Sequence, residues 1–176
     1  MVKDVVGNGL AAAVVETPVG ALTLGARERG LVRCEFGAGR AQMGSAEACA
    51  MLERGVRELK EYFAGARREF EVPLLPEGTA FQESVWRALC TIGYGETSTY
   101  GAIGARVGNP KGSRAVGLAN NRNPLPIFVP CHRVLNARGE LHGYGGGLEA
   151  KRWLLVHEGA EFRESVPRPS REVSAV

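Results

Sequence analysis

The segment Pro73-Leu74-Leu75-Pro76-Glu77-Gly78 limits the possible folds of this chain more than any other. Each proline lacks an amide donor and has φ fixed near about −65°, so neither a helix interior nor a central strand can run through it. The segment reads as a linker between residues 1–75 and 78–160, and the patterns on its two sides differ. On the N-terminal side, Ala12–Thr17, Ala21–Gly25 and Leu31–Phe36 read as strands. Pro18-Val19-Gly20 and Arg27–Gly30 are the turns between them, which predicts an antiparallel meander. Ser45 caps a helix that runs to Ala64, with Cys49, Leu52, Val56, Leu59 and Phe63 spaced three and four apart. Phe70–Val72 reads as one more short strand.

On the C-terminal side the period is helical. Thr79 and Gln82 form a capping-box pattern, and Phe81, Val85, Leu89 and Ile92 make one apolar face. Tyr100–Val107 and Ser113–Asn120 read as two short helices broken by Gly108-Asn109-Pro110, with Ser113 as the cap of the second. Leu148–Glu158 is a last helix, closed by Gly159 at the position that favours glycine. The expected class is therefore α/β (α+β). A small N-terminal antiparallel sheet with a helix precedes a mainly helical domain that contains a helix-turn-helix. Residues 163–176 are rich in proline, serine and charge and read as a disordered tail.

No apolar run approaches the length of a membrane span, and Ala11–Val15 is too short for a signal-peptide core, so the expected location is the cytoplasm, or the nucleus of a eukaryote. Four cysteines without a C-x-x-C pair read as free thiols of a reducing compartment. The net charge of +3 is uninformative, but its distribution is not. The 43 residues from Thr97 to Gly139 hold no Asp or Glu, yet contain Arg106, Lys111, Arg114, Arg122, Arg133 and Arg138. The remainder has 16 basic and 19 acidic residues. Such a stretch is either a solvated basic face or a surface for a polyanion.

Inside that stretch lies Pro130-Cys131-His132-Arg133. Cysteine is nucleophilic as thiolate, which a free thiol supplies only in small part at neutral pH. An imidazole that takes the proton and a cation that steadies the anion answer that need. Adjacent residues on a strand point to opposite faces, so a Cys-His pair works only in a bend or helical turn, which Pro130 makes plausible. The competing reading is a buried structural cysteine next to a histidine. Likewise the helix pair 100–121 suits groove binding but also fits any αα-hairpin. A nucleophile beside a DNA-binding helix implies chemistry on a base that must first leave the stack.

A longer set of residues carries a family resemblance. Phe81-Gln82, Val85-Trp86, Leu89, Gly95-Glu96-Thr97, Tyr100, Asn109-Pro110, Ala115-Val116-Gly117, Asn123-Pro124, Ile127, Pro130-Cys131-His132-Arg133-Val134, Gly143-Tyr144, Gly146-Gly147-Leu148, Lys151, Leu154-Leu155 and His157-Glu158-Gly159 resemble the O6-alkylguanine-DNA alkyltransferases over residues 78–160. These are also called methylated-DNA–protein-cysteine methyltransferases.

The resemblance implies transfer of an alkyl group from O6-alkylguanine, and from O4-alkylthymine, in double-stranded DNA to Cys131. The transfer would occur once, in a monomer without a cofactor. His132 would take the thiol proton through a water, and Glu158 would orient His132. Asn123 would brace the loop. Tyr100 would help to turn the nucleotide out and would donate to the departing guanine. Arg114 would fill the vacated stack. The carbonyls of Cys131 and Val134 would read the exocyclic amine, and the Tyr144–Gly145 loop would close over the base. Ser113, Ala115, Gly117, Asn120 and Arg122 would be further substrate or DNA contacts, with the second helix in the minor groove.

The chain departs from the family pattern at Gly145, often serine, at Gly93, often proline, and at Asn120, which can be apolar. Two N-terminal cysteines without a histidine are too few for the zinc that some relatives carry. Trp86, Trp153, Cys34, Cys49 and Cys90 read as structural, His142 as a loop residue, and Lys151 and Arg152 as solvent-facing. A non-catalytic sensor of alkylated DNA is the alternative, and Cys131 argues against it.

Overall fold

A computed structural model describes residues 9–164. Strands β1 (Ala11–Val15), β2 (Leu22–Arg27) and β3 (Gly30–Phe36) form an antiparallel meander in that order, as the short runs and the turns between them predict. Register places Ala12 opposite Gly25 and Leu24 opposite Cys34, with a bulge at Gly25/Ala26. Helix α1 (Ala46–Phe63) lies across this sheet, and Ser45 accepts from the Ala48 amide as its cap. Its buried face includes Ala48, Leu52, Leu59 and Tyr62, so of the expected stripe only Leu52 and Leu59 are buried. Cys49, Val56 and Phe63 sit half-buried at its flank, because the helix is turned by about one residue towards Tyr62.

Residues 70–72 form no strand. The amides of Glu71 and Val72 instead donate to the carboxylate of buried Glu58, at 2.8 and 2.9 Å, so a side chain takes the bonds that a ladder would have used. Nor is the proline segment a free linker. The Leu31 amide donates to the Pro73 carbonyl (2.9 Å) and the Leu75 amide to the Leu31 carbonyl (2.8 Å), which fastens it along β3. Both bonds avoid the two prolines as donors, which is how the segment pairs with a strand edge.

Thr79 and Gln82 form the full capping box of α2 (Ala80–Leu89). Helices α3 (Tyr100–Arg106) and α4 (Ser113–Asn121) pack on one another and on α2. Their connection is tight: a Cβ on Gly104 would lie 2.7 Å from the Asn109 carbonyl oxygen. Gly112, not Ser113, is the N-cap of α4, and no side chain caps it. Ser113 is already the first helical residue, and its hydroxyl is left to the surface. Two-residue strands β4 (Ser98–Thr99) and β5 (Val134–Leu135) pair in parallel, a join without a sequence signal. Helix α5 is Gly147–His157.

One cluster of buried side chains runs through both halves, from Leu22, Leu24 and Leu59 to Trp86, Ile103, Val116 and Leu154. Trp86 closes it with an indole N–H donated to the Ala119 carbonyl at 2.9 Å. Cys34 is buried, Cys49 half-buried and Cys90 exposed, all as free thiols. The expected tail is partly tied: the Arg163 amide donates to Gly139 and its carbonyl accepts from Leu141. Residues 165–176 of that tail lie outside the described residues. No helix among the described residues is long and apolar enough to cross a membrane.

Candidate active site

The chain approaches Cys131 through a constrained loop. Asn123 braces it at two points, accepting from the Leu125 amide (3.0 Å) and donating to the Val129 carbonyl (2.8 Å). Ile127 has φ 76°, the sole positive value for a non-glycine among the described residues. For a β-branched residue this stores strain that the packed surroundings must hold. Pro130 then turns the chain sharply, with φ −79° and ψ 62°, and the Cys131 amide reaches the Val129 carbonyl at 2.8 Å. This is an inverse γ-turn. Cys131–Arg133 follow as one 3-10 turn. The bend lets adjacent residues do different work: Cys131 reaches a surface cleft, whereas His132 is buried inside.

His132 Nε2 lies 2.9 Å from Glu158 Oε1, and Nδ1 has no partner among the described residues although it is buried. Arg133 grips the same carboxylate with two bonds, Nε to Oε2 at 2.8 Å and Nη2 to Oε1 at 2.9 Å, and donates from Nη1 to the Ile92 carbonyl. Tyr62 donates its hydroxyl to Glu158 Oε1 at 2.7 Å. Burial pushes the Glu158 carboxyl upward, but His132 and Arg133 outweigh it and hold the group well below the usual carboxylate range. Burial lowers the His132 imidazole, against the pull of Glu158, so it rests neutral and able to accept a proton. With Nε2 engaged by the carboxylate as donor, Nδ1 is the accepting nitrogen.

Burial also pushes the Cys131 thiol up to about 11, against the Asn123 amide and the Lys151 charge. At pH 7 such a thiol is ionised in about one molecule in 10⁴. The resting thiol is therefore almost wholly protonated.

The cleft holds about 520 Å³ and is walled by Tyr100, Ser113, Arg114, Gly117, Leu118, Asn120, Asn121, Cys131 and the segment His142–Gly145. Seven of the expected contact residues thus converge with Cys131: Tyr100, Ser113, Arg114, Gly117, Asn120, Tyr144 and Gly145. Open space surrounds the position where a Cβ of Gly145 would sit, so the cleft tolerates serine there equally well. Ala115 and Arg122 are exposed on α4 and beyond its end, outside the cleft wall. Val134 is buried, and its carbonyl accepts from Lys151 Nζ at 2.6 Å, which leaves one lone pair for any other donor. The Cys131 carbonyl accepts from Asn120 Nδ2 at 3.3 Å. The turn at Gly93 is not loose, because the amide that a proline would lack donates to Glu96 at 3.0 Å.

Two expectations of exposure fail. Lys151 is fully buried, and its ammonium binds the carbonyls of Val134, His142 and Gly143, tying the Tyr144 loop to the start of β5, just after the Cys131 turn. Burial lowers its pKa to about 8. Arg133 belongs to the interior, so five exposed cations remain in the acid-free stretch: Arg106, Lys111, Arg114, Arg122 and Arg138. One signal for Lys151 was in the sequence: it sits three, four and seven residues before Leu154, Leu155 and Glu158, on the inward face of α5. Nothing in the sequence marked Tyr62.

Residues 10–76 match the family profile described as 6-O-methylguanine DNA methyltransferase, ribonuclease-like domain, and residues 80–160 match its DNA binding domain. A methylated-DNA–protein-cysteine methyltransferase of Methanosarcina acetivorans is 50% identical over 152 residues, 84% of this chain and 97% of that protein. One from Mycolicibacterium paratuberculosis is 46% identical over 147 residues, covering 82% and 89%. The crystal structure of Mycobacterium tuberculosis OGT in complex with DNA superposes with a TM-score of 0.75 at 43% identity, over 83% of this chain and 91% of that one. With both halves matched and relatives covered nearly end to end, the chain belongs to the 6-O-methylguanine DNA methyltransferase family.

Proposed function

We propose that this protein repairs alkylated DNA by moving the alkyl group from O6 of guanine, and from O4 of thymine, onto Sγ of Cys131. The observation that carries the reading is the pairing of a cleft-facing thiol with a buried, neutral imidazole. One nitrogen of that imidazole is held by Glu158, and the other has no partner among the described residues. The free Nδ1 is the site from which a water can relay the thiol proton to His132. The transfer is a displacement at carbon: sulfur forms the new C–S bond, the C–O6 bond breaks, and guanine leaves with the electron pair. A donor near the leaving oxygen quenches its charge, and the proton goes to the departing base. The thioether is not hydrolysed under mild conditions, so each molecule acts once, as a monomer and without a cofactor. The reducing cytoplasm keeps the thiol available.

In this reading residues 1–75 are the scaffold and 78–160 carry the DNA and the reacting groups. The five exposed cations hold phosphates, with strong salt dependence and little sequence preference. Helix α4 enters the minor groove, with Ala115 and Arg122 against the backbone and Gly117 admitting the extruded base. Tyr100 turns that nucleotide out. The carbonyls of Cys131 and Val134 meet its exocyclic amine, and the Tyr144–Gly145 loop closes over it.

The test is incubation with duplex DNA carrying O6-methylguanine, followed by mass spectrometry of the Cys131 peptide. One added methyl group, in at most one copy per protein molecule, is expected. DNA binding without any mass gain would mean a sensor and would overturn the proposal.

Arg114 tests the base-extrusion part. It is exposed at the start of α4 and borders the cleft, placed to occupy the gap that a base leaves. Arg114→Ala is expected to slow repair of duplex DNA by roughly 10²-fold, since unstacking costs a few kcal/mol. Reaction with free O6-benzylguanine, which needs no extrusion, stays within about twofold of wild type. Equal losses on both substrates would remove Arg114 from that role.

A further inference from the structure

The carboxylate that holds His132 has one more partner, and it comes from the N-terminal half. Tyr62 stands in the last turn of α1 and is fully buried. Its hydroxyl donates to Glu158 Oε1 at 2.7 Å, the same oxygen that meets His132 Nε2 at 2.9 Å. Its backbone carbonyl lies 2.7 Å from His157 Nε2, the residue just before Glu158. The ring is fixed edge-on against Phe63, Tyr94 and His157. Two hydrogen bonds from one residue therefore bolt the end of α1 to the end of α5.

We infer that Tyr62 is a positioning residue of the alkyl transfer: its hydroxyl shares Glu158 Oε1 with His132 and thereby sets how strongly that carboxylate draws a proton onto the imidazole. The inference rests on the proposed function and deepens it. The scaffold half would then supply part of the relay.

A phenol that donates to a carboxylate spreads its charge, and a carboxylate with less free charge stabilises imidazolium less. Burial and the neighbouring Glu158 push the Tyr62 hydroxyl far above the usual tyrosine range, so it remains a donor at every pH of interest. The other groups facing the pair are Arg133 and Cys131 of the turn, Lys151 and His157 of α5, Tyr94, and Tyr144, whose ring centroid is 6.4 Å from that of His132. Of these, Arg133 and Lys151 are cationic and disfavour imidazolium, as the Tyr62 hydroxyl does indirectly. Removing the hydroxyl leaves Glu158 Oε1 more basic, raises the pKa of His132 and moves the acid limb of the rate profile to higher pH.

The experiment is the pH dependence of Cys131 alkylation by O6-benzylguanine in wild type, Tyr62→Phe and Tyr94→Phe, with a thermal melt of each. For Tyr62→Phe the acid limb is expected to move up by roughly half a pH unit or more, giving about a three- to fivefold lower rate at pH 5 and less than about twofold at pH 8. Tyr94→Phe removes a hydroxyl from the same aromatic cluster, one that donates to the His157 carbonyl rather than to Glu158, and its profile should overlay the wild type. A purely structural Tyr62 would lower the melting temperature without moving the limb, and that result overturns the inference. Site-specific 3-fluorotyrosine at position 62 keeps the ring and strengthens the donor. It should move the limb the opposite way, a result that stands even if Tyr62→Phe folds poorly. Failure of the wild type to alkylate Cys131 would instead strike the proposed function itself.

Discussion

Replacing Cys131 with serine is expected to lower alkyl transfer by on the order of 10⁴-fold or more while leaving duplex binding intact. The substitution removes one kind of atom from the wall of the cleft and nothing from the basic face. Even sulfur is hard to ionise at this site, since burial pushes the thiol up to about 11. A serine hydroxyl is a far weaker acid, and a neutral His132 takes its proton at a much greater free-energy cost. Oxygen is also the poorer nucleophile toward an alkyl carbon. The comparison needs single-turnover transfer from methylated duplex, read as methyl on protein, beside a binding titration on the same duplex. Transfer by the serine protein at a rate near wild type would remove Cys131 as acceptor. Loss of binding in parallel would mean that the substitution had disturbed the cleft rather than the chemistry.

The parts of this site that the sequence made legible are those whose chemistry is written in neighbouring residues. Pro130 announced the bend, and the bend is the γ-turn and 3-10 turn that separate a cleft-facing thiol from a buried imidazole. The Thr79 and Gln82 pair, the Ser45 cap of α1 and the glycine after α5 are local patterns with local causes, and each formed as its spacing required. What escaped was set by tertiary contact. Lys151 looks solvent-facing beside Arg152, yet three backbone carbonyls, one from β5 and two from the loop before Tyr144, converge on its ammonium and make burial tolerable. Arg133 counted as surface charge until Glu158, 25 residues away, neutralised it inside. Tyr62 lies 96 residues from the carboxylate it binds, a pairing to which no period or motif corresponds. The strand expected at 70–72 was lost to a side chain: Glu58 offers an acceptor that competes with the ladder.

Glu158 is where these long-range contacts meet, so Glu158→Gln is expected to damage stability and chemistry together, and the two can be separated. The carboxylate side chain is fully buried and takes bonds from His132, Arg133 and Tyr62. Glutamine keeps the shape but leaves the Arg133 guanidinium buried without a counter-charge. Breaking such a pair costs about 3–5 kcal/mol. In a chain of this size that lowers the melting temperature by roughly 10 °C.

The wild-type carboxyl is held below its ordinary range, so its stabilising contribution is complete above about pH 4.3, the unfolded value, and fades as pH falls toward the folded one. The gap in melting temperature between wild type and Glu158→Gln should therefore be widest near pH 7 and narrow progressively below about pH 4.3. A gap that widens in acid would contradict the pairing. The rate should fall by roughly 10³-fold, because the amide no longer holds His132 in the tautomer with Nδ1 free and no longer favours imidazolium. Adding Arg133→Met to Glu158→Gln removes the stranded cation and should recover a large part of the lost stability, but none of the rate, since the imidazole still lacks its carboxylate. Recovery of both would make Glu158 an anchor for Arg133 alone and would take it out of the proton relay.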